Sequence, residues 1–174
     1  MTSLIKNLEL TKGKNIDRTT LEIQQLIMNH VIFLDIDGVI NNSKTPTLQK
    51  GDNIFIMADP YCVFLINRLV DRTGCKVVLS SSWRHDPEWR KNMKAQGLVF
   101  EFLDRTPRHG KETERGYQIQ SWLDNHQEVT KYAIVDDYND MLESQQPNFF
   151  ETSWQTGITE DIALAIEKHL TDLT

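Results

Sequence analysis

The sequence predicts an α/β domain: a three-layer, Rossmann-like sandwich built on a mainly parallel sheet, with a minimal cap. Three observations carry that expectation. Short apolar, β-branched runs alternate with longer stretches of helical periodicity, the pattern of successive βαβ units. The strand runs are apolar along their whole length, as strands buried on both faces are. Three of them end in polar clusters, Asp35/Asp37, Ser80–Arg84 and Asp136/Asp137, which a parallel sheet gathers on one rim, where open α/β sheets bind ligands.

A chain of 174 residues suffices for one domain with a full core. With 39% apolar and 25% charged residues it reads as globular rather than disordered. No apolar run approaches the ~20 residues of a membrane span, and the start, MTSLIKNLEL, lacks the features of a secretory signal. The expectation is an intracellular, cytoplasmic protein with no membrane partner. The two cysteines, Cys62 and Cys75, form no CxxC pair and read as buried apolar residues. A net charge of −6 argues against a general nucleic-acid binder but leaves room for a local basic pocket. Carboxylates gathered around a divalent cation would themselves produce such a charge.

Residues 1–30 read as a lead-in followed by a helix over Asp17–Asn29 that covers the sheet; residues 31–174 read as the α/β domain itself. The run Val31–Leu34 is the first strand, leading into Asp35-Ile36-Asp37-Gly38. Asn41 to Asp59 is polar and turn-rich, an insertion sized for a flap or hairpin. Pro60 opens a helix whose apolar stripe is Tyr61, Phe64, Leu65 and Leu69 and whose C-cap is Gly74. Cys75–Leu79 is the second strand. A helix follows from Asp86 or Pro87 to Ala95, then a strand over Leu98–Leu103 and a basic loop over Thr106–Glu114. The helix Arg115–Asn125 turns Ile119, Trp122 and Leu123 inward. Tyr132–Val135 is a strand ending in Asp136–Asp137, and Phe149, Phe150 and Trp154 mark a last strand or packed loop. Thr159 caps a final helix with the stripe Ile162, Ala165, Ile166 and Leu170.

Asp-x-Asp-Gly alone is also what a strand followed by a polar turn looks like. The set of strand tips points to more. Carboxylates from separate strands crowded at one point need a cation, and an all-oxygen site suits Mg²⁺. A metal, a hydroxyl, backbone N–H groups and a Lys or Arg together hold a phosphoryl group and neutralise its charge. One carboxylate can then attack phosphorus, and a second can move the proton.

Asp35-Ile36-Asp37-Gly38-Val39 resembles the first motif of the haloacid dehalogenase superfamily. A serine after the second strand, a basic residue before a helix and Asp136-Asp137 follow in that family's order over residues 31–140. VVLSSSWR, RGYQIQSWL, IVDDYNDM and WQTGIT resemble the phosphatase domains of RNA-repair proteins and, more distantly, the 3′-phosphatase domain of phage-type polynucleotide kinase. The resemblance implies Asp35 as nucleophile and Asp37 as general acid/base. It implies Mg²⁺ held by the Asp35 carboxylate, the Asp37 carbonyl, and Asp136 or Asp137. Gly38 and Val39 suit a phosphatase, since dehalogenases of the family lack the second aspartate. Ser80 or Ser81 would hold the phosphate, Arg115 or Lys111 would supply the basic group, and Arg84 would touch substrate. The bland alternatives are that Ser81 and Ser82 cap a helix, that the tryptophans pack, that Asp140 starts a helix and that the Arg105–Lys111 loop is solvated.

A short insertion leaves the site open. Open sites of this family accept phosphate on large molecules, so the expected activity is a phosphomonoesterase acting on RNA or DNA ends. The alternatives are a phosphoprotein phosphatase or a non-catalytic binding module on the same fold.

Overall fold

The computed structural model describes residues 29–50, 53–107 and 114–172. The helix expected over Asp17–Asn29 falls outside them except for its last residue, and so does Lys111. In chain order the elements are β1 (His30–Leu34), β2 (Thr47–Lys50), β3 (Asn53–Ile56), α1 (Pro60–Thr73), β4 (Lys76–Leu79), α2 (Trp89–Ala95) and β5 (Phe102–Arg105). They continue with α3 (Arg115–Asp124), β6 (Lys131–Asp136), β7 (Phe149–Glu151) and α4 (Glu160–Thr171).

Five strands form one sheet in the order β5-β4-β1-β6-β7, and every pairing in it is parallel. β1 is central, and all five of its residues are buried, four of them apolar. Side chains alternate across it. Ile32 and Leu34 join Val77, Leu79, Ala133 and Val135 in a core shared with α1, α2 and α4. Val31 and Phe33 face the other way, into a cluster with Ile119 and Trp122 of α3, where the Trp122 ring meets Phe33 edge-on. This is the expected sandwich, and its first crossover runs from β1 through α1 to β4. The chain then builds outward to β5 before returning to the opposite side of β1 with β6, so the topological switch point falls between β1 and β6, where open α/β sheets bind ligands.

The insertion after β1 is the antiparallel hairpin β2–β3. α1 begins and ends as expected: Asp59 accepts from the Tyr61 N–H, Pro60 sits in the first turn, and Gly74 closes the helix at φ 67°.

Four local expectations are corrected. The α1 stripe is rotated: Cys62, Leu65, Ile66 and Leu69 are buried, whereas Tyr61 and Phe64 stack on each other at the surface with Arg68 over the Phe64 ring. In α4, Ala163 is buried and Ala165 exposed, since a small side chain leaves little signal for choosing a face. A 3₁₀ turn, Ser82–His85, precedes α2, which starts only at Trp89 because Pro87 holds Asp86 extended. Finally, β5 lies at Phe102–Arg105 rather than Leu98–Leu103. Leu98 is apolar because it enters the core from a loop, while the edge strand itself carries an exposed Leu103 and the polar Asp104 and Arg105. Among the described residues no helix is long and apolar enough to cross a membrane. Both cysteines are buried and unpaired, and burial pushes the Cys75 thiol up to about 11.

Candidate active site

The β1 tip is tied to both neighbours as it leaves the sheet: Asp35 N–H donates to the Val135 carbonyl, and Ser80 N–H donates to the Leu34 carbonyl. The chain then makes one tight turn, with Val39 and Ile40 N–H both donating to the Ile36 carbonyl. Gly38 takes φ 72°, and a Cβ there would lie 2.1 Å from Asp137 Oδ2. The glycine is thus required twice, for a left-handed backbone and for the close approach of the β6 carboxylate. Its carbonyl accepts from the Thr152 hydroxyl at 2.8 Å, and its N–H donates to Asn41 Oδ1 at 3.0 Å.

Asp35, Asp136 and Asp137 each offer a carboxylate oxygen within 4.8 Å of the others. Their crowding shows in their proton affinities. Burial first, then the charge of Asp35, pushes the Asp136 carboxyl up to about 7 against the pull of Arg115. The same two causes raise Asp137. Arg115 Nη1 lies 2.6 Å from Asp35 Oδ1 and 2.8 Å from Asp136 Oδ2, bridging the two strand tips. Burial works against its charge, but the attraction of Asp35 and Asp136 prevails and its pKa is raised. Arg115 is aimed by its place at the start of α3. Its backbone N–H is capped by Asp140 Oδ2 at 2.9 Å, and the next residue, Gly116, packs so tightly that a Cβ would meet Leu142 N at 2.7 Å. Asp140 thus orients the helix that carries Arg115 rather than starting one of its own.

Asp37 points into different surroundings. Its Oδ1 accepts from Asn41 Nδ2 at 2.8 Å, and its Oδ2 accepts from the Trp83 indole N–H at 2.9 Å. Beside it, the two serines separate. Ser81 Oγ accepts from Trp83 N–H and caps the 3₁₀ turn. Ser80 is fully buried, and its hydroxyl has no hydrogen-bond partner among the described residues. Arg84 is buried as well: Nη1 donates to the carbonyls of Ser80 and Ser81, both at 2.8 Å, and Nη2 to Gln118 Oε1 at 2.6 Å. It braces the serine loop against α3, a structural duty that its sequence position did not suggest.

The structure therefore brings together Asp35, Asp37, Gly38, Ser80, Ser81, Arg115, Asp136 and Asp137, with Arg84 behind the serine loop. Sequence reasoning missed Asn41, Trp83 and Thr152. Asn41 stands four residues after Asp37, a helical spacing that carries a signal in hindsight. Trp83 and Thr152 reach the site only through tertiary folding.

An all-parallel sheet whose central strand ends in Asp-x-Asp-Gly, with a serine on one neighbouring tip and an aspartate pair on the other, defines a haloacid dehalogenase-type phosphatase. The family described as the HAD domain in Swiss Army Knife RNA repair proteins matches residues 31–163, and the chain belongs to that family. Solved structures similar to the chain include a protein from Legionella pneumophila described as a HAD superfamily (subfamily III A) hydrolase, with 12% identity, a TM-score of 0.44, and coverage of 86% of this chain and 92% of that one. Proteins described as 3-deoxy-D-manno-octulosonate 8-phosphate phosphatases are similar at the same 12% identity. For the one from Vibrio cholerae the TM-score is 0.44, with 94% and 97% coverage; for the one from Yersinia pestis it is 0.41, with 85% and 83%. No curated protein sequence matches the chain significantly.

Proposed function

We propose that the chain is a Mg²⁺-dependent phosphomonoesterase that forms an aspartyl-phosphate on Asp35 and acts on polynucleotide ends. In this reading residues 31–174 are the catalytic domain, residues 1–30 a lead-in, and the protein works in the cytoplasm. The observation that carries it is the split at the β1 tip: Asp35 lies within a three-carboxylate cluster, and Asp37 stands apart on neutral donors. That donor set fits a hard divalent cation. When bound there, by the Asp35 carboxylate, the Asp37 carbonyl and Asp136 or Asp137, Mg²⁺ would neutralise charge on the phosphoryl oxygens.

The residues divide the work. The Ser80 hydroxyl, buried with no partner among the described residues, receives a phosphoryl oxygen. Arg115 offsets the repulsion among Asp35, Asp136 and the incoming phosphate. The Asp35 carboxylate attacks phosphorus; the bond to the ester oxygen breaks, and protonated Asp37 gives that oxygen its proton. Asp37, now a carboxylate, takes a proton from water. The resulting hydroxyl attacks phosphorus, the bond to Asp35 breaks, and phosphate leaves. Trp83 and Asn41 keep Asp37 aimed throughout.

Two points support the polynucleotide substrate: the family is described as a domain of RNA repair proteins, and the insertion after β1 is only a two-stranded hairpin, too small to enclose a substrate. Turnover of 3′-phosphorylated RNA and DNA oligonucleotides, phosphopeptides and p-nitrophenyl phosphate in Mg²⁺ tests the proposal. Oligonucleotides are expected to give the highest kcat/KM. Preference for phosphopeptides would move the substrate to proteins, and no turnover of any ester would leave a binding module.

A further inference from the structure

Beside the serine loop, on the same rim, lies a second cavity of about 360 Å³. It is lined by Arg84 and His85 from the turn after β4 and by Asp104, Arg105, Thr106 and Pro107 from the end of β5. The Arg105 guanidinium stands beside one carboxylate, and that carboxylate is already engaged, since Asp104 Oδ2 accepts from the Trp122 indole at 2.9 Å; the Arg84 guanidinium is turned to the serine-loop carbonyls and Gln118. Arg105 is exposed, and its Nη1 donates to the Arg84 carbonyl, which ties the two loops together across the cavity. Thr106 is buried, its N–H held by the Leu79 carbonyl, while its hydroxyl has no hydrogen-bond partner among the described residues.

A buried hydroxyl without a partner costs free energy unless a ligand or water satisfies it, and a guanidinium beside it favours an anion with oxygens to accept both. The cavity is also at a telling distance. It opens at the tips of β4 and β5, and β4 neighbours β1. The lining is one to two strand spacings of about 4.8 Å from β1, so the cavity stands roughly 5–10 Å from Asp35 along the rim, a range that takes in the spacing of successive phosphates along a single strand.

We propose that this cavity is the subsite for the phosphodiester next to the scissile phosphate, with Arg105 and the Thr106 hydroxyl as its specificity-determining contacts. The inference rests on the polynucleotide reading above and deepens it. It explains how an acidic chain can hold a polynucleotide end: one local basic pocket does so, without a basic face.

A 3′-phosphorylated dinucleotide differs from a nucleoside 3′-monophosphate by one phosphodiester and one nucleoside, so the ratio of their kcat/KM values reads the subsite. The parent is expected to prefer the dinucleotide by about tenfold or more. Arg105→Ala should remove most of that preference and lower the salt dependence of dinucleotide KM by about one charge. Thr106→Val, which keeps the shape, should remove part of it, and Arg105→Lys should retain the salt dependence. Circular dichroism melts of the variants check that each is folded. A parent that turns over both nucleotides with equal kcat/KM, or an Arg105→Ala protein with an unchanged ratio, overturns the subsite while leaving the phosphatase reading intact. Hydrolysis of p-nitrophenyl phosphate with turnover of neither nucleotide overturns the polynucleotide reading and the subsite together.

Discussion

The two sides of the β1 tip differ in kind. On the β6 side, the Asp35 carboxylate meets a guanidinium and two more carboxylates. On the β4 side, Asp37 meets an indole and a carboxamide, both neutral N–H donors. The residues are two apart in sequence and of one type, so the surroundings alone divide their labour. In the proposed mechanism, charge on one side would hold a cation and an anionic phosphate, and fixed neutral dipoles on the other would aim a group that gains and loses a proton.

If that division holds, substitutions on the charged side are the more damaging. Asp35→Asn should cost at least about a thousandfold in kcat/KM on p-nitrophenyl phosphate with Mg²⁺; parent-like turnover would break the assignment. Asp37→Asn should cost about 10²–10⁴-fold on an alkyl phosphate. The loss on p-nitrophenyl phosphate should be smaller, because that leaving group departs without a proton, and equal losses on both esters would argue against the acid role. Gly38→Ala tests the seam between the sides. The new methyl meets Asp137, and the backbone is left-handed, a strain of about 1–3 kcal/mol that should lower Tm by roughly 5 °C and weaken Mg²⁺ binding measured by calorimetry. Trp83→Phe keeps the ring and deletes one donor to Asp37; about a tenfold fall in kcat is expected, with a displaced limb in the pH profile.

A separate effect is on stability alone. Asp136 holds its proton up to about 7 in the fold against an ordinary 3.8. Between those values the folded protein keeps a proton that the unfolded chain has lost. In chelator, stability should therefore fall as pH rises from about 4 to 7 and level off above. Melts at pH 5 and pH 8 measure this, and Asp136→Asn should flatten the difference.

Much of this was legible before folding was considered. β1, β4 and β6 are buried on both faces, so their apolar runs announce them and their polar ends stand out. Arg115 reads as a candidate basic residue because it opens a helix, with Lys111 as the alternative. β5 is hard to place from sequence because an edge strand needs no apolar run, whereas a loop that plugs the core does. The choice between Ser80 and Ser81 depends on how the backbone leaves the sheet, which spacing does not encode. In the sequence Trp83 looks like a packing residue, because its contact with Asp37 spans 46 residues of chain and composition carries no trace of such a pair.

The register of β1 against β6, which matches His30 to Lys131 and Leu34 to Val135, also bears on how the protein is made. The two halves of the carboxylate cluster leave the ribosome about a hundred residues apart, and parallel pairings of that separation form late and slowly. A nascent chain stopped before β6 holds Asp35 without Asp136, Asp137 or a finished sheet. On this view the chemistry switches on in one step at the end of folding, and an unfinished chain has no partial phosphatase to release.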